Sequence, residues 1–324
     1  MYAMLIDENR NFNWTQVPDP ELKAGEVIIE VHAASLNRAD LLQRAGKYPP
    51  PPGWPEWMGL EVSGIIAEAA TGSRWKIGDQ VCALLGGGGY AEKVAVPEGM
   101  VMPIPKGLSM IEAAALPEAA ATSYLNLFIE GKLQEGETVY IAAGASGLAS
   151  MAIPMAKACG AQVVTSVLSD EIADSIKHLG ADIVVNTGKQ DFAEVAEKLS
   201  ISGKPIKVAM DCLGGEMLGK TLPFMAQGGY WVLISTLAGV TTEVSLRPLL
   251  TKGIHLIGSM LRNRTSEMKA FILSELVKNI WPQIESGKIK PYIYKTLPMA
   301  EAASAHAILE RSENIGKVVL QLRD

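Results

Sequence analysis

The sequence has few cysteines, few aromatic residues and no excess of basic charge. Its three cysteines, Cys82, Cys159 and Cys212, are far apart in the chain, which excludes a disulfide framework and a four-thiolate zinc site. There are 29 Lys and Arg against 35 Asp and Glu, a formal net charge of −6, and aromatics make up 6 % of the residues. Because phosphate binding relies on basic side chains and base stacking on aromatic ones, nucleic acid is not expected as the main partner.

Long hydrophobic runs are also absent. No apolar run reaches the roughly 18 residues that a membrane span needs, and the first eight residues turn acidic too early for a signal peptide. We therefore expect no membrane association and a cytoplasmic location. The 324 residues are 48 % hydrophobic, which is enough for a large core divided between two domains.

The first hundred residues have a β-rich pattern. Short apolar runs at residues 27–31, 62–67 and 80–84 predict strands, and the turns between them are dense in Gly and Pro. The four prolines at 49–52 exclude a helix or a central strand, because proline lacks the N–H. The four glycines at 86–89 predict a flexible loop.

From about residue 110 onward, apolar runs alternate with helical stretches of 10 to 15 residues. The predicted strands lie at 138–142, 162–166, 183–185, 208–210, 230–234 and 254–260. This alternation is typical of a parallel, doubly wound sheet with right-handed crossovers, so the predicted class is α/β. The chain closes with another predicted strand at 316–322.

A glycine-containing turn joins the predicted strand at 138–142 to the following helix. Gly144 and Gly147 match the dinucleotide fingerprint, and alanine, here Ala149, is an accepted variant of its third glycine. Small residues admit a pyrophosphate to the backbone, and the helix N-terminus offers free N–H groups. The second predicted strand is followed by no acid until Asp170, which argues against strict use of NAD. Turn residues assigned to cofactor binding are Gly144, Ser146, Gly147 and Leu148.

Five segments carry a resemblance that runs from end to end of the chain: residues 35–49, 59–64, 88–92, 113–118 and 313–319. On these segments the sequence resembles the zinc-free quinone oxidoreductases of the medium-chain dehydrogenase/reductase superfamily, most of all their tumour-suppressor-inducible branch. The resemblance implies a Rossmann domain at 121–262 and a GroES-like, partly open β-barrel catalytic domain at 1–120 and 263–324. It also implies a homodimer and NADPH-dependent hydride transfer to a quinone or an α,β-unsaturated carbonyl, with NADH as the alternative cofactor.

The same resemblance assigns site residues. Asn37 is expected near the nicotinamide, Tyr48 as the active-site phenol, and Asp40 as a group that orients them or caps a helix. Thr122, Ser169 and Asn186 are expected to contact the cofactor.

No metal is expected. Zinc-dependent relatives place a Cys and a His-Glu pair in the first domain, whereas this chain has Leu36, Asn37 and Arg38 in the Cys region and Leu60 with Glu61 in place of His-Glu. No three-ligand set with an open position can be assembled from the sequence.

Several positions depart from the relatives. Where these commonly carry a lysine and a tyrosine that help to hold the 2′-phosphate of NADPH, this sequence has Ile172 and Thr187, and Leu168 replaces a glycine. The departures predict weak and poorly discriminated cofactor binding, with NADPH slightly ahead. Two rival hypotheses stay open at this point: an enoyl-thioester reductase, and a cofactor-poor relative that acts as a binding protein.

Overall fold

The computed structural model describes residues 1–323. The strands are β1 (Tyr2–Ile6), β2 (Phe12–Gln16), β3 (Glu26–Ser35), β4 (Glu61–Ala69), β5 (Gln80–Leu84), β6 (Lys93–Pro97), β7 (Val101–Pro103), β8 (Thr138–Ile141), β9 (Gln162–Val167), β10 (Ile183–Asn186), β11 (Ile206–Asp211), β12 (Tyr230–Leu233), β13 (His255–Gly258), β14 (Ile293–Pro298) and β15 (Lys317–Gln321). The α-helices are α1 (Arg38–Arg44), α2 (Met110–Ala114), α3 (Pro117–Tyr124), α4 (Ala149–Ala158), α5 (Asp170–Ser175), α6 (Phe192–Ile201), α7 (Glu216–Thr221), α8 (Leu246–Lys252), α9 (Ser266–Asn279), α10 (Trp281–Glu285) and α11 (Ala302–Glu310).

The chain divides into two compact units. The first consists of residues 1–121 together with the chain from Arg262 onward, and the second of residues 122–261. No helix among residues 1–323 is both long and apolar enough to cross a membrane.

The first unit is built on a seven-stranded sheet of order β14-β15-β3-β4-β5-β7, in which β6 also pairs with β3. The long strand β3 is buried along most of its length and pairs antiparallel with β4, β6 and β15. Because β15 comes from the last residues of the chain, both chain ends are needed to complete this sheet. A small cluster of Ala33, Ala114, Ala115 and Val319 packs α2 against it.

The second unit is a six-stranded, all-parallel sheet of order β10-β9-β8-β11-β12-β13. Numbered from β8, this is the order 3-2-1-4-5-6 of the Rossmann fold. Its strands carry apolar residues on both faces, as expected where helices cover both sides of a parallel sheet. Tyr140, Phe192 and Trp231 form the centre of one core cluster. The predicted doubly wound α/β class is therefore confirmed.

Two expectations were wrong. The glycines at 86–89 are not a flexible loop: all four are buried, and the N–H groups of Gly88 and Gly89 donate to the carbonyls of Trp57 and Gly59. The strand expected at 254–260 covers only His255–Gly258, because its pairing with β12 ends where Leu233 pairs with Gly258.

Candidate active site

Asn37 lies at the N-terminus of α1, in the first unit. Its backbone is extended (φ −129°, ψ 156°), and its N–H donates to Asp40 Oδ2 at 2.7 Å. Asparagine favours the N-cap position, and an acid in the first turn complements the helix dipole. The local sequence therefore fixes the backbone of Asn37 before any distant residue contributes.

The side chain of Asn37 is held by two residues from distant parts of the chain. Its Nδ2 donates to Glu61 Oε1 at 2.9 Å, and its Oδ1 accepts from Lys317 Nζ at 2.8 Å. Lys317 Nζ also donates to Glu61 Oε1 at 2.7 Å. Glu61 is 0 % exposed and Lys317 is 4 % exposed, so this ion pair is fully buried.

Asp40 is also completely buried. Besides the Asn37 N–H, its carboxylate accepts from the N–H of Gly59 at 3.2 Å. Burial raises the pKa of Asp40 to about 6, and these two hydrogen bonds only partly offset that rise. Both carboxylate oxygens are engaged with backbone groups, which favours the orienting, helix-capping role over direct contact with a substrate.

Tyr48 lies half-buried after the end of α1, with its ring under a guanidinium. Arg262 Cζ is 4.2 Å from the ring centroid. Burial raises the pKa of the phenol, and the neighbouring positive charge of Arg262 only partly opposes the rise. The phenol therefore keeps its proton near neutral pH and can donate a hydrogen bond.

Arg262 clamps the segment that carries Tyr48. Its guanidinium donates to the carbonyl of Tyr48 at 3.2 Å, to the carbonyl of Gly86 at 2.6 Å and to Gln43 Oε1 at 3.1 Å. Its own carbonyl accepts from Lys269 Nζ at 2.8 Å. The planar fork of arginine suits this role, because it can serve several acceptors while stacking on a ring.

In the second unit, the predicted glycine turn joins β8 to α4. Ala143 has φ 53°, an unusual conformation for alanine, and a Cβ on Gly144 would lie 2.6 Å from Thr165 Oγ1. Ser146 Oγ accepts from the N–H of Ala149, the first residue of α4. Within residues 1–323, the N–H groups of four turn residues have no acceptor: Ala143, Ala145, Gly147 and Leu148. Free amides at the start of a helix fit the pyrophosphate of a dinucleotide.

The loops after β9 and β10 hold the other expected cofactor residues. Ser169 caps α5 by accepting from the N–H of Ile172. Asn186 Nδ2 donates to Asp170 Oδ1 at 2.6 Å, and Lys189 forms an ion pair with the same carboxylate. Ligands of doubly wound sheets bind at the carboxyl ends of the strands, and these loops lie at those ends.

Thr122 is half-buried in α3, and its carbonyl accepts from Asn126 Nδ2 at 2.7 Å. The structure thus brings Asn37 and Asp40 together, and separately the loops of Ser169 and Asn186. Sequence reasoning missed four polar residues at these places: Glu61, Lys189, Arg262 and Lys317. Glu61 and Lys317 lie within segments that carried the resemblance, and this was the one signal that could have found them.

The placement of His, Cys, Asp and Glu side chains bears on metal binding. Among residues 1–323, no three His, Cys, Asp or Glu side chains lie close enough together to hold a metal ion. Glu61, which stands where zinc-dependent relatives have a His-Glu pair, forms its ion pair with Lys317 instead. That the protein contains no zinc stays a prediction.

Comparisons with known proteins cover almost the whole chain. Residues 23–106 match the alcohol dehydrogenase GroES-like domain, and residues 147–278 match the zinc-binding dehydrogenase family. Quinone oxidoreductase-like protein 2 of Bos taurus is 30 % identical over 99 % of this chain and 92 % of its own. The 2-haloacrylate reductase of Burkholderia sp is 27 % identical over 96 % of this chain and 95 % of its own.

A solved structure of a quinone oxidoreductase is also similar to this chain over nearly its whole length. The quinone oxidoreductase of Thermus thermophilus, whose complex with NADPH is also known, has a TM-score of 0.81 and 29 % identity over 99 % of this chain and 100 % of that one. Its similarity supports a nicotinamide cofactor and a small-molecule substrate for this fold. The predicted family is confirmed: the chain belongs to the medium-chain dehydrogenase/reductase superfamily, as an oxidoreductase related to the quinone oxidoreductases.

Proposed function

We propose that the protein is a zinc-independent, NADPH-dependent reductase that transfers hydride to a quinone or an activated alkene. The observation that carries the proposal is the pairing of Tyr48 with Arg262, a protonated phenol under a guanidinium. Such a pair stabilises an oxygen that gains negative charge, which is the charge change when hydride adds to a quinone or to an alkene conjugated with a carbonyl.

Three features of the chain each have a part in the proposed reaction. Reduced nicotinamide, when bound, supplies the hydride and its two electrons. The amides of the β8–α4 turn hold the pyrophosphate, and Tyr48 donates a hydrogen bond to the acceptor oxygen as it becomes an enolate or a hydroquinone anion. Arg262 keeps the phenol in place and adds positive charge. Catalysis then consists mainly of positioning and of stabilising the oxygen.

The preference for NADPH over NADH rests on Lys189. An acid in this region would repel a 2′-phosphate, but the Asp170 carboxylate is paired with Lys189. Lys189 is the basic side chain that could meet a 2′-phosphate in the region where Ile172 and Thr187 supply no charge, and it would share its protons with Asp170. The expectation that binding is weak is retained, because a single exposed lysine replaces two residues of the relatives.

Two activities of the relatives support the proposed acceptor class. The relatives include a 2-haloacrylate reductase and quinone oxidoreductases, which act on an activated alkene and on quinones by name. A free enone or quinone is therefore proposed ahead of an enoyl thioester.

The test is NADPH and NADH oxidation against a panel of quinones, enones and enoyl thioesters. Tyr48→Phe should lower kcat/KM about tenfold to a hundredfold while leaving the Kd for NADPH nearly unchanged. Tyr294→Phe, which changes an exposed tyrosine of the same unit, is the matched control. Equal activity of Tyr48→Phe and wild type across the panel would make Tyr48 a packing residue.

A binding measurement separates the enzyme from a cofactor-poor binding protein. NADPH should raise the melting temperature of the wild type, because a ligand that binds only the folded state stabilises it. No stabilisation by either nucleotide, together with no turnover, would reject the proposal.

A further inference from the structure

The carboxamide of Asn37 lies between two buried groups of opposite charge. Lys317 Nζ contributes all three of its protons to oxygens: Glu61 Oε1 at 2.7 Å, Asn37 Oδ1 at 2.8 Å and the carbonyl of Leu36 at 2.8 Å. Glu61 accepts on both oxygens, from Lys317 and Asn37 on one and from the N–H of Glu118 at 2.8 Å on the other. Lys317 therefore has no proton left to donate, and Glu61 accepts on both of its oxygens.

These partners permit one orientation of the amide. An ammonium can only donate, so it requires the oxygen of Asn37, and an ionised carboxylate can only accept, so it requires the nitrogen. A flipped amide would point its NH₂ at the Lys317 ammonium and its oxygen at the Glu61 carboxylate. One N–H of Nδ2 then remains without a partner in the part of the chain that the structure describes.

We propose that Lys317 and Glu61 are positioning residues, which orient Asn37 so that its remaining N–H donates to the carbonyl oxygen of the substrate. The inference rests on the proposed function, because it assigns the substrate of that reaction a carbonyl oxygen as its hydrogen-bonding group. The Lys317 ammonium, which donates to Oδ1, polarises the amide and strengthens its N–H as a donor. Lys317 and Glu61 therefore act through Asn37 and not on the reacting atoms.

A stabilising role alone does not account for the ion pair. Replacing a buried ion pair by neutral groups of similar size is often neutral or stabilising, since the cost of desolvating two charges offsets their attraction. The backbone of Asn37 is already fixed by Asp40. What the charges add, and a neutral pair does not, is a single orientation of the amide.

The kinetic test is a cycle of three variants: Asn37→Ala, the double variant Lys317→Met with Glu61→Gln, and the combination of all three. Removing both charges avoids leaving one of them buried without a partner. We expect Asn37→Ala and the double variant each to lower kcat/KM about tenfold, and the combination to be no worse than Asn37→Ala. Multiplicative losses, or an unimpaired double variant, would overturn the proposal.

A matched control separates positioning from general damage. Lys93→Met with Asp19→Asn removes an exposed ion pair of the same unit and should leave kcat/KM unchanged. If the double variant does not fold, Lys317→Gln with Glu61→Gln takes its place in the cycle.

A measurement on the resting protein does not depend on turnover. In protein labelled with ¹⁵N at asparagine, the Asn37 side-chain signals are assigned by their loss in Asn37→Ala. The amide protons should exchange with water about tenfold more slowly in the wild type than in the double variant. Equal exchange would refute the fixed orientation. If the wild type reduces no acceptor while the exchange difference is found, the proposed function fails and the orientation of Asn37 stands.

Discussion

His306 is expected to make the folded protein sensitive to mild acid. It lies in α11 with no exposed surface, its ring edge-on to Phe12 at 4.8 Å, and its Nε2 is 3.4 Å from the hydroxyl of Tyr90. Its Nδ1 is buried without a partner in the described chain. Burial, assisted by the positive charge of Arg44, lowers the pKa of His306 to about 3.

The direction in which pH changes the stability follows from which state, folded or unfolded, binds the proton more readily. In the unfolded chain a histidine takes up a proton near pH 6.5, whereas folded His306 stays neutral down to about pH 3. Between these values the unfolded state binds more protons, so the free energy of unfolding falls as the pH falls. The loss between pH 7 and pH 5 is about 2 kcal/mol.

The assay is urea unfolding of the wild type, His306→Phe, and His306→Phe with Tyr90→Phe, at pH 7 and pH 5. Both variants should gain about 2 kcal/mol relative to the wild type on going to pH 5. The double variant removes the hydroxyl that His306→Phe leaves unpaired. Burial raises the pKa of Asp40, which acts in the opposite direction, but this contribution is common to all three proteins and cancels. His178→Gln controls for the loss of one exposed histidine.

Parallel stability curves for the wild type and both variants between pH 7 and pH 5 would refute this reasoning. They would mean that folded His306 takes up its proton as readily as the unfolded chain does, through water or through rearrangement around Nδ1.

Three further outcomes are expected. Ile172→Lys with Thr187→Tyr should tighten NADPH binding about tenfold to a hundredfold and leave NADH binding nearly unchanged. Lys189→Met should weaken the binding of NADPH and not that of NADH, and Lys177→Met is the control. The measurement is the dissociation constant of each nucleotide for each protein. Metal analysis should find no stoichiometric zinc, and a chelator should leave turnover intact; one tightly bound, required zinc would contradict this. Light scattering should show a homodimer at micromolar concentration, because β13 leaves an exposed sheet edge that a second copy of the chain can pair with. Leu256→Lys should shift the protein toward the monomer. A monomeric wild type would disprove the pairing of β13 between two copies.

The fold could be predicted where its signals are local. The strand–helix alternation from residue 138 onward and the small residues at 144–149 each lie within a short window, and the handedness rule for parallel crossovers limits the possible strand orders. The loop at 86–89 could not be predicted in the same way. Four consecutive glycines suggest flexibility, whereas here the glycines allow close approach: a Cβ on Gly86 would lie 2.6 Å from the ring of Trp54.

The polar partners of the site could not be predicted because the sequence separations are long. Lys317 and Glu61 are 256 positions apart, and Arg262 and Gly86 are 176 positions apart. A lysine or glutamate in a strand sequence is expected at the surface, since charged residues are almost never buried unless they are paired. The partner that permits burial is set by tertiary structure, which is invisible to a local pattern. The resemblance named Asn37 as a candidate, but it did not name the groups that hydrogen-bond its side chain.

The polar groups around Asn37 and Tyr48 link the electrostatics of the first unit to the proposed reaction, because the acids are hydrogen-bonded and the groups left to bind a substrate can donate. Asp40 and Glu61, its buried acceptors near Asn37, each accept on both oxygens from donors of the same unit. Two groups at the site can still donate a hydrogen bond: the N–H of Asn37 and the phenol of Tyr48, which burial and the negative charge of Glu118 keep protonated. A site that offers donors and no free carboxylate favours an incoming oxygen that gains negative charge. Addition of hydride to a quinone or an enone produces that charge.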